Sequence, residues 1–171
     1  FGASHRAHAS IVGVPKYLPG GIGFLLKKEI EVLENLVKNP QKPLVVIIGG
    51  IKVETKTKVI DRVSEKADWV LVGSKISEEI EEKQIPLKYQ EKIIKPIDGI
   101  EKDGKTFDIG PKTVELFQEK IKQAKTIFWS GPLGQIEKEE FQEGSKKVAA
   151  AIVKSNAFSV AGGGETVEFI S

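Results

Sequence analysis

The chain contains no cysteine and no methionine among its 171 residues. Without cysteine, neither a disulfide nor a thiolate metal site can form. Without methionine, and opening on Phe1, the chain is expected to be an internal piece of a longer protein. Its final Phe169-Ile170-Ser171 comes barely one turn into a helix that Gly164-Glu165-Thr166 is expected to open. Both ends therefore read as cut, and any activity inferred belongs to a longer parent. No apolar run approaches the roughly 20 residues of a membrane span, and no signal-peptide pattern is present. Strong charge of one sign is missing too, since 26 basic residues balance 24 acidic ones to a net +2. A nucleic-acid binder is expected to carry a basic stripe. The expectation is a cytoplasmic monomer with no membrane or nucleic-acid partner. No G-x-G-x-x-G follows any strand, which argues against a nicotinamide or flavin site.

What is present is enough for one domain with a real core, or one domain and a scrap of another. From Gly23 to Asn39 apolar residues recur at the helical period, and Asn39-Pro40 ends them. Leu44–Ile48 is a pure aliphatic run, as expected of a strand buried on both faces of a parallel sheet. The pattern then predicts a helix over Thr55–Lys66, a strand over Trp69–Val72, and short helices over Ser77–Lys83 and Leu87–Ile93. A third strand is expected at Ile94–Ile97, and a turn-rich stretch over Asp98–Lys105. Pro111 opens a helix to Gln123, Thr126–Trp129 is a strand, Glu139–Lys154 a helix and Phe158–Ala161 the last strand. This alternation predicts an α/β, doubly wound, Rossmann-like and mostly parallel sheet with helices on both faces. Ligands of such sheets bind at the carboxyl ends of the strands.

Two of those ends run into glycines. Gly49-Gly50 leads to Lys52 and Lys56, and Gly162-Gly163-Gly164 leads to Glu165 and Thr166. Glycine lets backbone approach a ligand, and a helix starting there turns its free N–H groups toward an anion. Lysines four apart share a helix face and repel unless an anion sits between them; the plainer alternative is a solvated pair. Glu165 is either a favourable acid in a first helical turn or a ligand of a nucleotide-bound Mg²⁺. Lys52 is expected to face the glycine triplet across a cleft, at one edge of the sheet. The loop Trp129-Ser130-Gly131-Pro132-Leu133-Gly134 reaches Glu137, whose carboxylate can accept from ribose hydroxyls; a structural turn is the alternative. Near the start, Arg6 lies between His5 and His8 and can clamp a carboxylate or phosphate bidentately.

Gly99-Ile100-Glu101-Lys102-Asp103-Gly104-Lys105-Thr106 satisfies the P-loop pattern letter for letter. A P-loop must lead straight into a helix, whereas Phe107-Asp108-Ile109-Gly110-Pro111 intervenes here. Glu101 and Asp103 would also place negative charge in the phosphate nest. The segment is expected to be a surface turn, with nucleotide affinity indifferent to Lys105→Ala.

Five stretches, in order, resemble the phosphoglycerate kinase family. They are His5-Arg6-Ala7-His8-Ala9-Ser10 with its flanks, Gly49–Lys56, Asp108-Ile109-Gly110-Pro111-Lys112-Thr113, Trp129–Gly134 and Gly162–Thr166. The resemblance implies that residues 1–20 are a remnant of a substrate-binding domain and 21–39 an interdomain helix. Residues 40–171 would be most of a nucleotide-binding domain. It implies Arg6, with His5 and His8, on the phosphoglycerate; Lys52 on the phosphoryl group in flight; and Lys56 on nucleotide phosphates. Gly163 and Gly164 join those lysines in the catalytic set. Gly49, Gly50, Gly73, Glu137, Gly162, Glu165 and Thr166 complete the ADP/ATP site, with Glu165 toward Mg²⁺. The implied reaction is reversible phosphoryl transfer from 1,3-bisphosphoglycerate to ADP, with the isolated piece expected to be inactive. The chain departs from the family at Ser130 (usually asparagine), Glu165 (usually aspartate) and Thr106 (usually glycine), and it is short between Gly73 and Gly110. That shortening supports a different reading, a degenerate kinase domain serving as a non-catalytic nucleotide-binding module or scaffold.

Overall fold

The computed structural model describes residues 4, 6–50 and 53–171, excluding the side chains of 53–55. The chain divides into two compact units, Phe1–Pro40 and Gln41–Ser171. In the first, a π-helical turn over Ala9–Gly13 runs into a 3-10 turn over Val14–Lys16. Helix α1 then spans Phe24–Lys38, with Lys38 and Glu34 paired at 2.8 Å along one face. Asn39 caps it, as the Asn-Pro signal predicts.

The second unit is built on five parallel strands: β1 Leu44–Ile48, β2 Trp69–Val72, β3 Ile93–Ile94, β6 Thr126–Ser130 and β7 Phe158–Gly162. Their spatial order is β3-β2-β1-β6-β7. Strands β4 Gly99–Lys102 and β5 Lys105–Ile109 form a separate antiparallel hairpin. The helices are α2 Val53–Lys66, α3 Ser74–Glu82, α4 Pro111–Gln123, α5 Glu143–Lys154 and α6 Gly164–Ile170. The five buried residues of β1 alternate between two cores, because successive side chains of a strand point to opposite faces. Val45 and Ile47 pack with Val114, Phe117 and Ile121 of α4 and with Val148 and Ile152 of α5. Leu44, Val46 and Ile48 pack with Ile60 of α2 and with Ile76 and Ile80 of α3. This is the doubly wound sheet that the aliphatic runs predict. Each such fully buried aliphatic side chain contributes about 1.5–3 kcal/mol. No helix among the described residues is long and apolar enough to cross a membrane.

Three local expectations need correction. Leu87–Ile93 is not a helix: it holds only a 3-10 turn, Gln90–Lys92, before β3. Contacts from α2 hold it open, since Lys88 N–H donates to Asp61 Oδ1 at 3.0 Å and Lys92 Nζ donates to the Ser64 carbonyl at 2.7 Å. The third strand accordingly comes early and is short, at Ile93–Ile94 rather than Ile94–Ile97. Glu139–Lys154 is also not one helix; a 3-10 turn over Glu139–Phe141 precedes α5.

Candidate functional site

Parallel pairing puts every strand's carboxyl end on one edge of the sheet. Ile48 of β1 aligns with Ser130 of β6, which aligns with Gly162 of β7. The two glycine turns therefore share an edge, with β6 between them. Ser130 joins the two sides. Its Oγ accepts from Lys56 Nζ at 3.2 Å and lies 3.9 Å from where a Cβ on Gly163 would stand. Burial lowers the pKa of Lys56, and the nearby Glu165 carboxylate opposes that effect. An anion arriving here would meet a half-buried ammonium whose charge is incompletely satisfied. Lys52 and His5 lie outside the described residues.

Beside this group opens a cavity of about 690 Å³. Its wall is drawn from the Gly50 turn, the start of α3 at Gly73 and Ser74, and the Pro132–Gln135 loop. Glu137, Glu165 and the hairpin tip complete it. The hairpin is held in place by its own chemistry. Asp103 (φ 51°) and Gly104 (φ 71°) make the two-residue turn that an Asp-Gly pair favours. Phe107 stacks on Phe141 at 4.7 Å, Lys102 pairs with Glu140 at 2.9 Å, and Gln135 N–H donates to the Phe107 carbonyl at 2.8 Å. The P-loop look-alike does not lead into a helix; the expected turn is there at Asp103-Gly104, but the residues on either side of it are paired strands rather than a plain surface turn. It does not stand apart from the site, however, because Gly104, Lys105 and Thr106 line the cavity.

Other residues singled out from the sequence have duties within the fold. Gly49 is not on the cavity wall: a Cβ there would lie 2.0 Å from the Pro132 carbonyl oxygen. Thr166 is buried and its Oγ1 accepts the Gly131 N–H at 2.7 Å. Gly163, at φ 95°, needs the backbone freedom of glycine to turn β7 into α6. A Cβ added at Gly164 would meet nothing within 4 Å, so the open side of this glycine faces free space. In the first unit Arg6 and His8 are exposed, and His8 Nδ1 accepts the Ser10 N–H at 3.3 Å as a local cap. No cluster of three or more metal-ligating side chains occurs among the described residues.

Nothing in the local pattern marks Asp108 as a wholly buried carboxylate, yet it packs against Gly134 of the cavity wall, where an added Cβ would stand 2.4 Å from its Oδ1. It accepts the Ile109 N–H and the Gly144 N–H, each at 2.8 Å, tying β5 to the start of α5. Burial pushes its pKa up to about 6, and the nearby Glu143 adds to the rise; the two N–H bonds oppose it. The folded pKa exceeds the unfolded value of 3.8, so the native state holds this proton more tightly. Stability from this group is complete below about pH 4 and is lost as pH rises toward 6, an effect of about 3 kcal/mol. Urea midpoints measured from pH 4 to 7 should carry this downward component, and Asp108→Asn should remove it. An unchanged pH profile in the variant would disprove the assignment.

A family model described as phosphoglycerate kinase matches residues 1–84 and 77–171. The chain belongs to the phosphoglycerate kinase family. It is 38% identical over 212 residues to the phosphoglycerate kinase of Finegoldia magna, covering 100% of this chain and 54% of that protein. Against the phosphoglycerate kinase of Thermosipho africanus, identity is 38% over 216 residues, with the same shares covered. The solved phosphoglycerate kinase of Pyrococcus horikoshii OT3 superposes with a TM-score of 0.85 at 30% identity, over 98% of this chain and 53% of that one. The chain thus spans about half the length of the phosphoglycerate kinases it matches. Setting 171 residues against 212 aligned positions leaves 41 positions as gaps in this chain. The two matches to the family model meet at residues 77–84, inside the stretch that reads as short.

Proposed function

We propose that this chain supplies the nucleotide half of a phosphoglycerate kinase, binding ADP and ATP at the carboxyl edge of its sheet. The enzyme as a whole would transfer a phosphoryl group reversibly between 1,3-bisphosphoglycerate and ADP, as a cytoplasmic monomer. The observation that carries this is Lys56, half-buried beside Ser130 and within the field of Glu165, which lines a cavity of about 690 Å³. Phosphoryl transfer asks little covalent chemistry of a protein; it asks for cations and N–H groups around the transferring oxygens. Lys56 would hold nucleotide phosphates, with the open side of Gly164 leaving room for them. Gly50, Gly73 and Glu137 would contact the rest of the nucleotide, Glu137 through the ribose hydroxyls. Gly162 and Gly163 shape the turn beside the phosphates.

Mg²⁺ would arrive with the nucleotide. One carboxylate, Glu165 on the cavity wall, together with phosphate oxygens matches the habit of Mg²⁺, which keeps several waters and takes few protein ligands. It would neutralise phosphate charge. In the first unit, residues 1–20 would complete the phosphoglycerate site through Arg6, His5 and His8, and 21–39 would form the interdomain helix. The non-catalytic alternative rests on the short stretch between Gly73 and Gly110, yet Gly73 and Thr106 from that stretch both line the cavity.

Calorimetric titration of the 171-residue chain with ADP and Mg²⁺ tests the binding step. Lys56→Ala should weaken ADP by tenfold or more, about 1.4 kcal/mol. Equal affinity in the variant would remove Lys56 from the phosphate site.

A further inference from the structure

The cavity is chemically different at its two ends. On its wall stand the Gly50 turn and Glu165, whose carboxylate acts on Lys56, while α3 and the hairpin present Glu78, Glu82 and Lys105. Glu78 keeps 35% of its side chain exposed, and its pairing with Lys75 is long at 3.8 Å. Among the described residues neither Glu82 nor Lys105 has an ion-pair partner within 4.0 Å. Gln135 lines the same cavity, and its Oε1 is buried with no hydrogen-bond partner. A buried acceptor of this kind has lost water without replacement until a donor reaches it.

If the phosphates lie toward Lys56, the base lies between α3 and the hairpin. We propose that this end reads the base and prefers guanine to adenine, an inference that rests on the nucleotide reading above. A carboxylate can only accept and an ammonium can only donate. Guanine presents two adjacent donors, N1–H and the N2 amino group, beside one acceptor, O6. Glu78, with Glu82 on the same helix face, matches the donors, and Lys105 on the cavity wall matches O6, which reverses the sequence expectation that nucleotide affinity is indifferent to Lys105→Ala. Adenine presents a donor at N6 but a lone pair at N1, which would face a carboxylate lone pair. Sites that hydrogen-bond a ligand discriminate strongly because a mismatch leaves polar groups unpaired. Solvent at the exposed Glu82 moderates that effect here.

Titrating the 171-residue chain with GDP, IDP and ADP, each with Mg²⁺, tests the proposal. GDP should bind at least about tenfold tighter than ADP, with IDP between them because it lacks the N2 amino group. In Glu78→Gln the new amide both accepts and donates, so the GDP-to-ADP ratio should fall toward one or reverse. ADP binding as tightly as GDP would overturn the base preference while leaving the nucleotide site standing. A preference for GDP that persisted unchanged in both Glu78→Gln and the Glu78→Gln/Glu82→Gln double variant would also overturn it, by removing the carboxylates from the recognition. Failure of all three nucleotides to bind would instead reject the nucleotide reading, and this inference with it.

Discussion

Gly49→Ala is expected to cost about 3 kcal/mol or more and to lower the melting temperature by roughly 10 °C. The added Cβ would stand 2.0 Å from the Pro132 carbonyl oxygen and 2.6 Å from that of Gly131, both backbone atoms that cannot rotate away. The loop they belong to is pinned from several sides. Gly50 N–H donates to the Pro132 carbonyl at 2.8 Å, Gly49 N–H to the Ser130 carbonyl at 3.0 Å, and Leu133 N–H to Ser145 Oγ at 2.9 Å. Trp129 Nε1 donates to the Gly131 carbonyl at 2.7 Å. Moving the loop enough to admit a methyl group must break some of these, at about 1 kcal/mol each. Gly164→Ala is the matched control, because its Cβ would meet nothing within 4 Å. That variant should keep its stability within about 0.5 kcal/mol. Thermal unfolding of both variants decides the matter, and equal melting temperatures would refute the loop-packing account.

This contrast shows what the sequence could and could not convey. A Gly-Gly after a buried strand advertises close approach, but not what approaches. At Gly49 it is the chain's own Pro132 loop, while at Gly164 it is free space. The five-residue aliphatic run of Leu44–Ile48 and the Pro-initiated helix α4 were legible because one physical cause dominates each. The segment 87–93 was not, because its conformation is set by Asp61 and Ser64 on another element, a partner that local periodicity does not contain. The hairpin was half legible. Asp103-Gly104 declares the turn, but nothing local says that its far side closes a cavity. The burial of Asp108 left no signal for the same reason: its donor on Gly144 comes from 36 residues away. Glu78 and Glu82 share a face of α3, where a carboxylate ordinarily means solvent. Only the packing of the hairpin opposite them turns that face into a wall.

Catalysis and nucleotide binding are expected to separate between two lysines. Lys52 stands four residues before Lys56 in the sequence. Lys52 is proposed to act on the phosphoryl group during transfer, when negative charge spreads over its three equatorial oxygens. An interaction made only in the transition state lowers kcat without raising KM. Removing one donor of this kind costs on the order of 10²-fold or more in turnover. Joining this chain to the N-terminal half of a matching phosphoglycerate kinase would supply the substrate domain for the measurement. In that chimera Lys52→Ala should lower kcat by on the order of 10²-fold, while directly titrated ADP affinity changes little. Lys56→Ala should do the reverse and weaken ADP, because its ammonium, beside Ser130, is proposed to hold phosphate in the ground state. The pair of variants distinguishes the roles where either alone would not, since general loss of structure would depress both quantities together. Full turnover in Lys52→Ala would make it a surface lysine, and the phosphoryl-transfer role would have to pass to Lys56 alone.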